Sequence, residues 1–302
     1  MTDSTMTTPI VSATAKKNKR NAIIGKVMIY TMLVLYAVII IFPFSIVIST
    51  SLKTWQEARS LTFKWFSEQG LVWEGYQEVF VWTANPDAVL PTLVKSFVNT
   101  LLYIIPPTVI GLFTSSLAAY AFAKLRFRAK NGMYAFLLAT MMIPGTIMIV
   151  PQYSIYDAIG WVDTPLPLMI PGMFGAAACV FFMRQFFAGI PDSIVEAAKI
   201  DGVGFFGIFW TIMVPLSVPA LIAQGLLGFI GGYNDYFGPL IYLQSSELYN
   251  LQVALNIFAS VYGDQPNAVM AATMIALLPT LIIYFIAQDF FIEGIAASGV
   301  KG

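Results

Sequence analysis

The sequence predicts an all-α, polytopic membrane protein with six transmembrane helices. Three observations predict this class: the composition, the lengths of the uncharged stretches and the distribution of basic residues. Of the 302 residues, 58% are hydrophobic and 11% are charged, whereas a soluble globular domain carries about 25% charged residues. The mean hydropathy of +0.76 agrees with a chain that lies mostly in lipid.

Six uncharged stretches are long enough to cross the bilayer, because about 20 helical residues span about 30 Å of hydrocarbon. A Lys, Arg or Asp at the centre of a span costs about 2.5 to 3.5 kcal/mol, and each large apolar residue contributes only about 0.3 to 0.6 kcal/mol. Prolines within the stretches predict kinks, since neighbouring helices can satisfy the freed carbonyls. The predicted spans are Val27–Ile48, Ser96–Ala123, Met133–Tyr156, Thr164–Met183, Phe205–Asn234 and Asn267–Gln288.

The basic residues predict the orientation. With the N-terminus on the cytoplasmic side, twelve Lys and Arg residues fall in inner segments and four fall in outer ones. Positive charge accumulates on the cytoplasmic side, so we expect both termini there. The inner residues are Lys16, Lys17, Lys19, Arg20, Lys26, Lys124, Arg126, Arg128, Lys130, Arg184, Lys199 and Lys301. The outer residues are Lys53, Arg59, Lys64 and Lys95.

The two ends of the chain are expected to be cytoplasmic tails. Residues 1–26 combine Thr, Ser and Ala with a basic cluster, and we expect this tail to be disordered because it has little apolar surface to bury. The first transmembrane helix, over residues 27–49, is too long for the apolar part of a cleaved signal peptide and is expected to be retained. Residues 291–302 are small and too polar to extend the last span.

Several kinds of chemistry lack the residues they need. The chain has one cysteine, Cys179, and no histidine, which excludes an internal disulfide and leaves little basis for a zinc site. No G-x-x-x-x-G-K-[ST] motif for ATP occurs, and no paired carboxylates lie in the spans. We therefore predict no catalytic site, no metal site and, with a net charge of zero, no nucleic-acid partner. A proton- or sodium-coupled carrier normally needs ionisable groups at mid-membrane, and the predicted spans hold none, so this class is disfavoured.

One polar interruption, Pro191–Pro219, lies on the predicted cytoplasmic side. Ser193 precedes Glu196 by three residues, the spacing of a capping box, which predicts a short helix from about Ser193 to Ile200. Gly202 and Gly204 are expected to end it, where a positive backbone angle or a close contact is needed. An amphipathic helix lying on lipid headgroups is the alternative interpretation.

The spacing within this interruption carries a family resemblance. The series Glu196-Ala197-Ala198, three residues, Gly202, nine residues, Ile212-Met213-Val214-Pro215 resembles the EAA motif of ABC importer permeases, with Val214 in place of Leu. The chain from Met28 to Gly302 is similar to the carbohydrate-uptake class, and in particular to the second maltose-type permease. The further matching segments are Asn99-Thr100-Leu101, Leu117–Phe122, Met142-Ile143-Pro144, Arg184-Gln185-Phe186-Phe187, Asn234-Asp235, where Tyr233 replaces a Trp, and Gly294–Gly302.

The resemblance implies a type I ABC importer permease fold of the bacterial inner membrane. Residues 92–290 would form the permease core of five helices, with a coupling helix at about 193–202 that docks on a cytoplasmic ATPase subunit. Glu196 would pair with a basic group of that subunit, Ala197 and Ala198 would allow close approach, and Gly202 would form the bend. The C-terminal tail would either enter the ATPase interface or remain a frayed end.

The resemblance also implies partners and a substrate class. These are a second related permease, two ATPase subunits that use ATP and magnesium, and an external binding protein that delivers an oligosaccharide or disaccharide. The chain itself would bind no cofactor. A polyol or glycerol-phosphate importer is the alternative within the family, and a secondary carrier is the less favoured alternative outside it.

Polar and aromatic residues within the spans are candidates for the translocation pathway. Hydrogen bonds between helices would explain them equally well. Lys95, at the edge of a span, is expected to reach the interface with its ammonium group. The pathway candidates are Asn99, Tyr103, Gln152, Tyr153, Asn234 and Asp235.

Overall fold

The computed structural model describes residues 9–299, and every regular element within that range is helical. The first half contains α1 (Pro9–Ser51), α2 (Trp55–Arg59), α3 (Glu74–Val81), α4 (Thr92–Lys124), α5 (Lys130–Thr140), α6 (Ile149–Ala158) and α7 (Leu166–Met173). The second half contains α8 (Ala177–Gly189), α9 (Asp192–Ile200), α10 (Phe205–Ile208), α11 (Val214–Leu216), α12 (Val218–Tyr233), α13 (Phe237–Tyr242), α14 (Leu251–Val261) and α15 (Pro266–Gly299).

The predicted fold class is confirmed. Four segments are long and apolar enough to cross a membrane, namely Ile23–Ser51, Thr92–Lys124, Leu166–Gly189 and Pro266–Gln288. Two pairs of bent helices pass the same criterion together, so the described chain has six spans when each pair counts as one. The pairs are Lys130–Thr140 with Gly145–Ala158, and Phe205–Leu216 with Val218–Tyr233.

The third span is sharply bent where the sequence predicted a kink. Its two helices meet at 84°, and a short 3₁₀ turn, Gly145–Met148, connects them. Pro144 has an extended backbone with φ −62° and ψ 125°. A proline disfavours helical geometry in the residue before it and lacks an amide hydrogen, so α5 ends just before this position. The span therefore consists of two helices of different direction.

The fifth span is bent as well, by 80° between Leu216 and Val218. Ser217 leaves helical geometry with φ −109° and ψ 10°, and its buried hydroxyl donates hydrogen bonds to the carbonyls of Met213 (2.7 Å) and Val214 (3.2 Å). Pro215 and Pro219 flank this residue and donate no backbone hydrogen bonds. The bend thus has a local cause in the sequence.

Both terminal helices are longer than predicted. α1 begins at Pro9 and runs through the basic cluster, where a disordered tail was expected, and α15 continues to Gly299 through part of the predicted C-terminal tail. Alanine and lysine have high helix propensity, so these segments can extend a helix already formed in the adjacent span. Residues 1–8 and 300–302 lie outside the described range.

Two buried clusters organise the spans. One, at the predicted outer end, joins α3, α4, α12, α14 and α15 around Tyr233, Phe258 and Ala271. The other, at the predicted inner end, joins α4, α8, α9 and α10 and includes Tyr120 and Phe187. The inner cluster positions α9, which contributes two of its buried residues.

Glycines hold α4 against the fourth span. A side chain at Gly111 would collide with the backbone carbonyl of Gly172, and Gly175, at φ +92°, lies against the Ser115 side chain. Small residues allow helices to approach closely within a membrane, where packing rather than the hydrophobic effect drives association. The second and fourth spans therefore form one closely packed unit.

Candidate functional site

The short helix α9 lies with one face on the inner cluster. Val195 and Ala198, three positions apart, are 3% and 7% exposed and pack with residues of α4 and α8. Side chains three positions apart lie on one face of a helix. The seat of α9 is therefore apolar, and the rest of the helix faces away from the described chain.

Lys124, at the end of α4, connects that helix to the start of α9. Its ammonium group donates hydrogen bonds to the Ile190 carbonyl and to Oδ1 of Asp192, both at 2.5 Å. The Lys124 side chain is only 4% exposed, whereas Asp192 is 77% exposed. The hydrogen bond from Lys124 holds the pKa of the Asp192 carboxyl below its usual range. A carboxylate in the first turn also suits the positive end of the helix dipole.

The predicted capping box is wrong. The helix begins at Asp192 with Pro191 at the N-cap, and no side chain caps it, so Ser193 lies within the first turn and cannot cap. The physical reason is that Pro191 fixes an extended entry (φ −57°, ψ 133°), and helical geometry starts with the next residue. The helix nevertheless ends at Ile200, as the sequence predicts.

The end of α9 is a Schellman motif. The amide of Val203 donates to the Ala198 carbonyl at 2.9 Å, and the amide of Gly202 donates to the Lys199 carbonyl at 3.1 Å. Gly202 has φ +80°, which confirms the positive angle predicted there. Gly204 differs, since its φ of −72° is ordinary and it serves as the N-cap of α10.

The outward face of α9 carries Glu196, Ala197 and Ile200. All three are exposed, Ile200 by 87%. Glu196 makes no ion pair or side-chain hydrogen bond with the residues that the structure describes. Sequence reasoning missed Ile200, although it lies four positions after Glu196 and opposite Val195 on the helix. This face combines one carboxylate, one small residue and one large apolar residue.

A π-helical turn follows in the fifth span, directly beyond α10. It covers Phe209–Met213 and is followed by Pro215. The last part of the EAA-like series, Ile212–Pro215, therefore lies at the end of this turn and just before the bend at Ser217. A π-turn widens the helix by one residue and occurs often at functional positions. α9 is thus separated from the bend by only one irregular helical segment.

A groove of about 650 Å³ lies between the second, fourth and fifth spans. It is mostly apolar, and its polar side chains are Tyr103, Thr108, Ser115 and Gln224. Gln224 is half-buried and has no hydrogen bond to the described chain. Leaving a polar side chain unpaired in hydrocarbon is costly, which makes Gln224 a candidate for contact with another helix or with a substrate. Sequence reasoning missed Gln224, although it is a polar residue within the fifth span.

Two of the pathway candidates hold an outer loop against α4. Asn99 donates to the carbonyls of Glu247 (2.9 Å) and Tyr249 (3.1 Å), and Tyr103 donates to the Leu248 carbonyl at 3.0 Å. Lys95 pairs with Glu247 beside them, rather than only reaching the interface as predicted. These contacts fix the segment 247–249 in place. They agree with the alternative explanation of Asn99, in which its hydrogen bonds hold the fold together.

The remaining candidates are dispersed. Asp235 shares a cavity of about 70 Å³ with Tyr103, and Oδ1 of Asp235 accepts the Gly238 amide at 3.2 Å. Asn234 donates to the Ile230 carbonyl of its own helix at 2.8 Å. Tyr153 stacks on Tyr242, with ring centroids 6.4 Å apart, and Gln152 is exposed. The structure therefore places Tyr103 and Asp235 on one cavity, which Gln152, Tyr153 and Asn234 do not line.

The connection after α6 is fastened to the same outer loop. Asp163 accepts hydrogen bonds from the amides of Gln244 and Ser245 (both 2.8 Å) and from the Ser245 hydroxyl (2.5 Å). These donors, the Ser245 hydroxyl above all, lower the pKa of the Asp163 carboxyl. Together with Asn99 and Tyr103, this carboxylate holds residues 244–249 from two sides.

Six helical spans, with each bent pair counted as one, and one short helix that presents an exposed, charged face define a multi-pass membrane protein. Residues 111–296 match the family described as "Binding-protein-dependent transport system inner membrane component". The chain belongs to this family of transport permeases.

Two curated relatives support this assignment. The arabinooligosaccharides transport system permease protein AraQ of Bacillus subtilis is 34% identical over 69% of this chain and 74% of its own length. The inner membrane ABC transporter permease protein YcjP of Escherichia coli is 33% identical over 94% of this chain and 99% of its own length. Both are named as permease proteins.

A solved structure supports the fold. It is the "Crystal structure of a bacterial ABC transporter involved in the import of the acidic polysaccharide alginate", with a TM-score of 0.77 and 23% identity over 90% of this chain and 98% of that one. The likeness confirms the ABC importer permease fold that the EAA-like spacing predicts. The assignment also implies an ATPase and a binding protein as components of the working transporter.

Proposed function

We propose that this chain forms half of the translocation pathway of an ATP-driven importer for a carbohydrate, either an oligosaccharide or a disaccharide. The support for the substrate class is the name of a 34% identical relative that transports arabinooligosaccharides. The groove beside α4 supplies hydroxyl, amide and aromatic side chains, which are groups that hydrogen-bond and pack against sugars. A second, related permease would close this groove and complete the pathway.

The observation that carries the energy-coupling part is the outward face of α9. Glu196 lies on it and forms no ion pair or side-chain hydrogen bond with the described residues, and Ile200 is 87% exposed. We propose that this face docks on one of two cytoplasmic ATPase subunits, with Glu196 pairing a basic group and Ile200 filling an apolar recess. Ala197 admits a close approach there, whereas Ala198 packs inward. Exposed apolar and charged groups together give a docking surface both affinity and specificity.

The proposed assembly sits in the bacterial inner membrane with both termini in the cytoplasm. This chain would bind no cofactor, and the ATPase subunits would use ATP and magnesium. An extracytoplasmic binding protein would deliver the sugar to the outer end of the spans. Membrane lipid would surround the remaining helix faces.

The substrate proposal is tested by uptake in cells that lack the chain and regain it from a plasmid. We expect labelled oligosaccharides or disaccharides to enter only when the chain is present, and uptake to continue when a proton ionophore is added while cellular ATP is held constant. Uptake of glycerol phosphate or a polyol instead would overturn the substrate class. Uptake that stops with the ionophore would favour a secondary carrier.

The docking proposal is tested by Glu196→Lys. Since the carboxylate is exposed and forms no ion pair or side-chain hydrogen bond within the described residues, the variant should insert normally. It should lose at least about tenfold in uptake per ATP hydrolysed, as expected for about 1.4 kcal/mol of lost docking energy. Asp157→Lys is the matched control, because it makes the same charge reversal at an exposed position of α6. Normal coupling in the Glu196→Lys variant would contradict docking through α9.

A further inference from the structure

A groove on the surface of the chain lies between the end of α4 and the start of α5. It has a volume of about 370 Å³ and is lined by the connecting turn, including Arg126, Phe127, Lys130 and Gly132. We call it the basic groove. The turn is held by Ala129, whose φ is +63°, and by Lys130, which donates to the Leu125 carbonyl at 2.8 Å.

The basic groove carries positive charge that the described chain does not neutralise. Arg126 lines the groove, and Arg128 lies two residues further along the same turn, beside the lining. Both are exposed, and neither forms an ion pair with a described acidic residue. Lys124, Arg126 and Arg184 all repel the Lys130 ammonium, whereas Asp192 alone attracts it. Asp192 already accepts a hydrogen bond from Lys124. An anion in the groove would therefore relieve a local excess of like charge.

An exposed apolar stripe adjoins the basic groove. Gly132 lines the groove, and Phe136 lies four positions further along α5, so the two share one face of the helix. Phe136 is 74% exposed and Met133, beside it, is 54% exposed. Because α5 is half of the third predicted span, we expect this stripe to face the hydrocarbon next to the charged groups.

We propose that the basic groove binds the phosphate-bearing headgroup of an anionic phospholipid, whose acyl chains lie along Met133 and Phe136. The charge distribution of the sequence assigns this end of α5 to the cytoplasmic side, where an anionic leaflet attracts clustered Lys and Arg. An acidic protein surface would neutralise the arginines but would leave the stripe uncovered. A free phosphate ion would do the same, so the combination of groove and stripe selects a lipid.

The site has a mechanical neighbour. The groove is built on the residues that follow Lys124, and Lys124 holds the start of α9. A bound headgroup would steady the turn from which this lysine extends. The lipid composition of the membrane would thereby affect the position of α9, although the bound lipid does not contact this helix.

The test uses the full chain in detergent, titrated with phosphatidylglycerol or phosphatidylcholine and read by native mass spectrometry. We expect phosphatidylglycerol to bind more tightly than phosphatidylcholine. Since each basic residue contributes about a fivefold increase in affinity for an anionic surface, Arg126→Gln with Arg128→Gln should weaken phosphatidylglycerol binding about 25-fold. Both arginines are exposed, so the double variant should elute as a folded protein on size exclusion.

The matched control is Arg59→Gln with Lys64→Gln, which removes two exposed charges from the predicted outer side and should change binding less than twofold. Phe136→Ser should weaken the binding of phosphatidylglycerol without altering the charge of the groove. Equal binding of both lipids, undiminished binding by the double arginine variant, no effect of Phe136→Ser, or displacement by inorganic phosphate would each overturn the proposal.

Discussion

Gly202 is the residue that permits the chain to turn from α9 into the fifth span. It closes the helix with φ +80°, and its neighbour Gly204 starts the next helix with φ −72°. Neither glycine has an atom within 4 Å of the position where a Cβ would lie. The two positions therefore differ in backbone conformation and hardly at all in available space.

This difference predicts that substitution by alanine affects stability differently at the two glycines. Gly202→Ala should destabilise the protein by about 1 kcal/mol, because a Cβ is strained at a positive φ. Gly204→Ala should be close to neutral, since alanine adopts its φ without strain. Thermal unfolding of the purified chain in detergent checks both. Equal losses of stability for the two variants would show that the backbone angle is not what selects glycine at residue 202.

At the scale of elements, the sequence predicted the number and places of the spans but not their directions. Hydropathy reports how long an apolar stretch is, and it carries no information on whether a proline kink reaches 84° or remains slight. The capping-box prediction was wrong because the helix starts at Asp192, directly after Pro191, one residue earlier than predicted. The spacing of Ser193 and Glu196 does not reveal this earlier start. The glycine at residue 202 was predictable because its requirement is local.

The same limit explains the pathway candidates. A polar residue in a span is visible in the sequence, yet its partner lies far along the chain, as Glu247 and Tyr249 do for Asn99. Gln224 has the same kind of side chain, and it forms no hydrogen bond within the described part of the chain. Only the packing of the spans separates a residue that fastens a loop from one that lines a groove. Their roles in transport stay a prediction.

The link between α4 and α9 gives a prediction for an element. Lys124→Met should lower uptake per ATP hydrolysed and cost about 1 kcal/mol of stability, because the buried Ile190 carbonyl loses its donor. Asp192→Asn should have a smaller effect on coupling, since Lys124 keeps the carbonyl. Lys124→Arg, which retains the charge and donors, should restore part of the coupling. Equal coupling in Lys124→Met and the original protein would mean that α4 does not position α9.

The whole molecule predicts a definite orientation in the membrane. Because Cys179 is the only cysteine, a Cys179→Ala background allows single cysteines to be added at exposed serines on each side. Ser60→Cys, in the predicted outer loop, should react with a membrane-impermeant maleimide in intact spheroplasts, and Ser193→Cys, on α9, should react only after lysis. The reverse pattern would invert the topology and remove α9 from the cytoplasm.

The bend at Ser217 has a geometric consequence. The segment before it, Phe205–Leu216, is about 18 Å long at about 1.5 Å per helical residue. If Ser217 acts as a fulcrum, a displacement of about 3 Å at the α9 end rotates this lever by about 10°. Because the segment beyond Ser217 points in a direction 80° away, a displacement out of the plane of the bend would rotate that segment mainly about its own long axis. A straight helix in this place would instead transmit a displacement of α9 along its own axis.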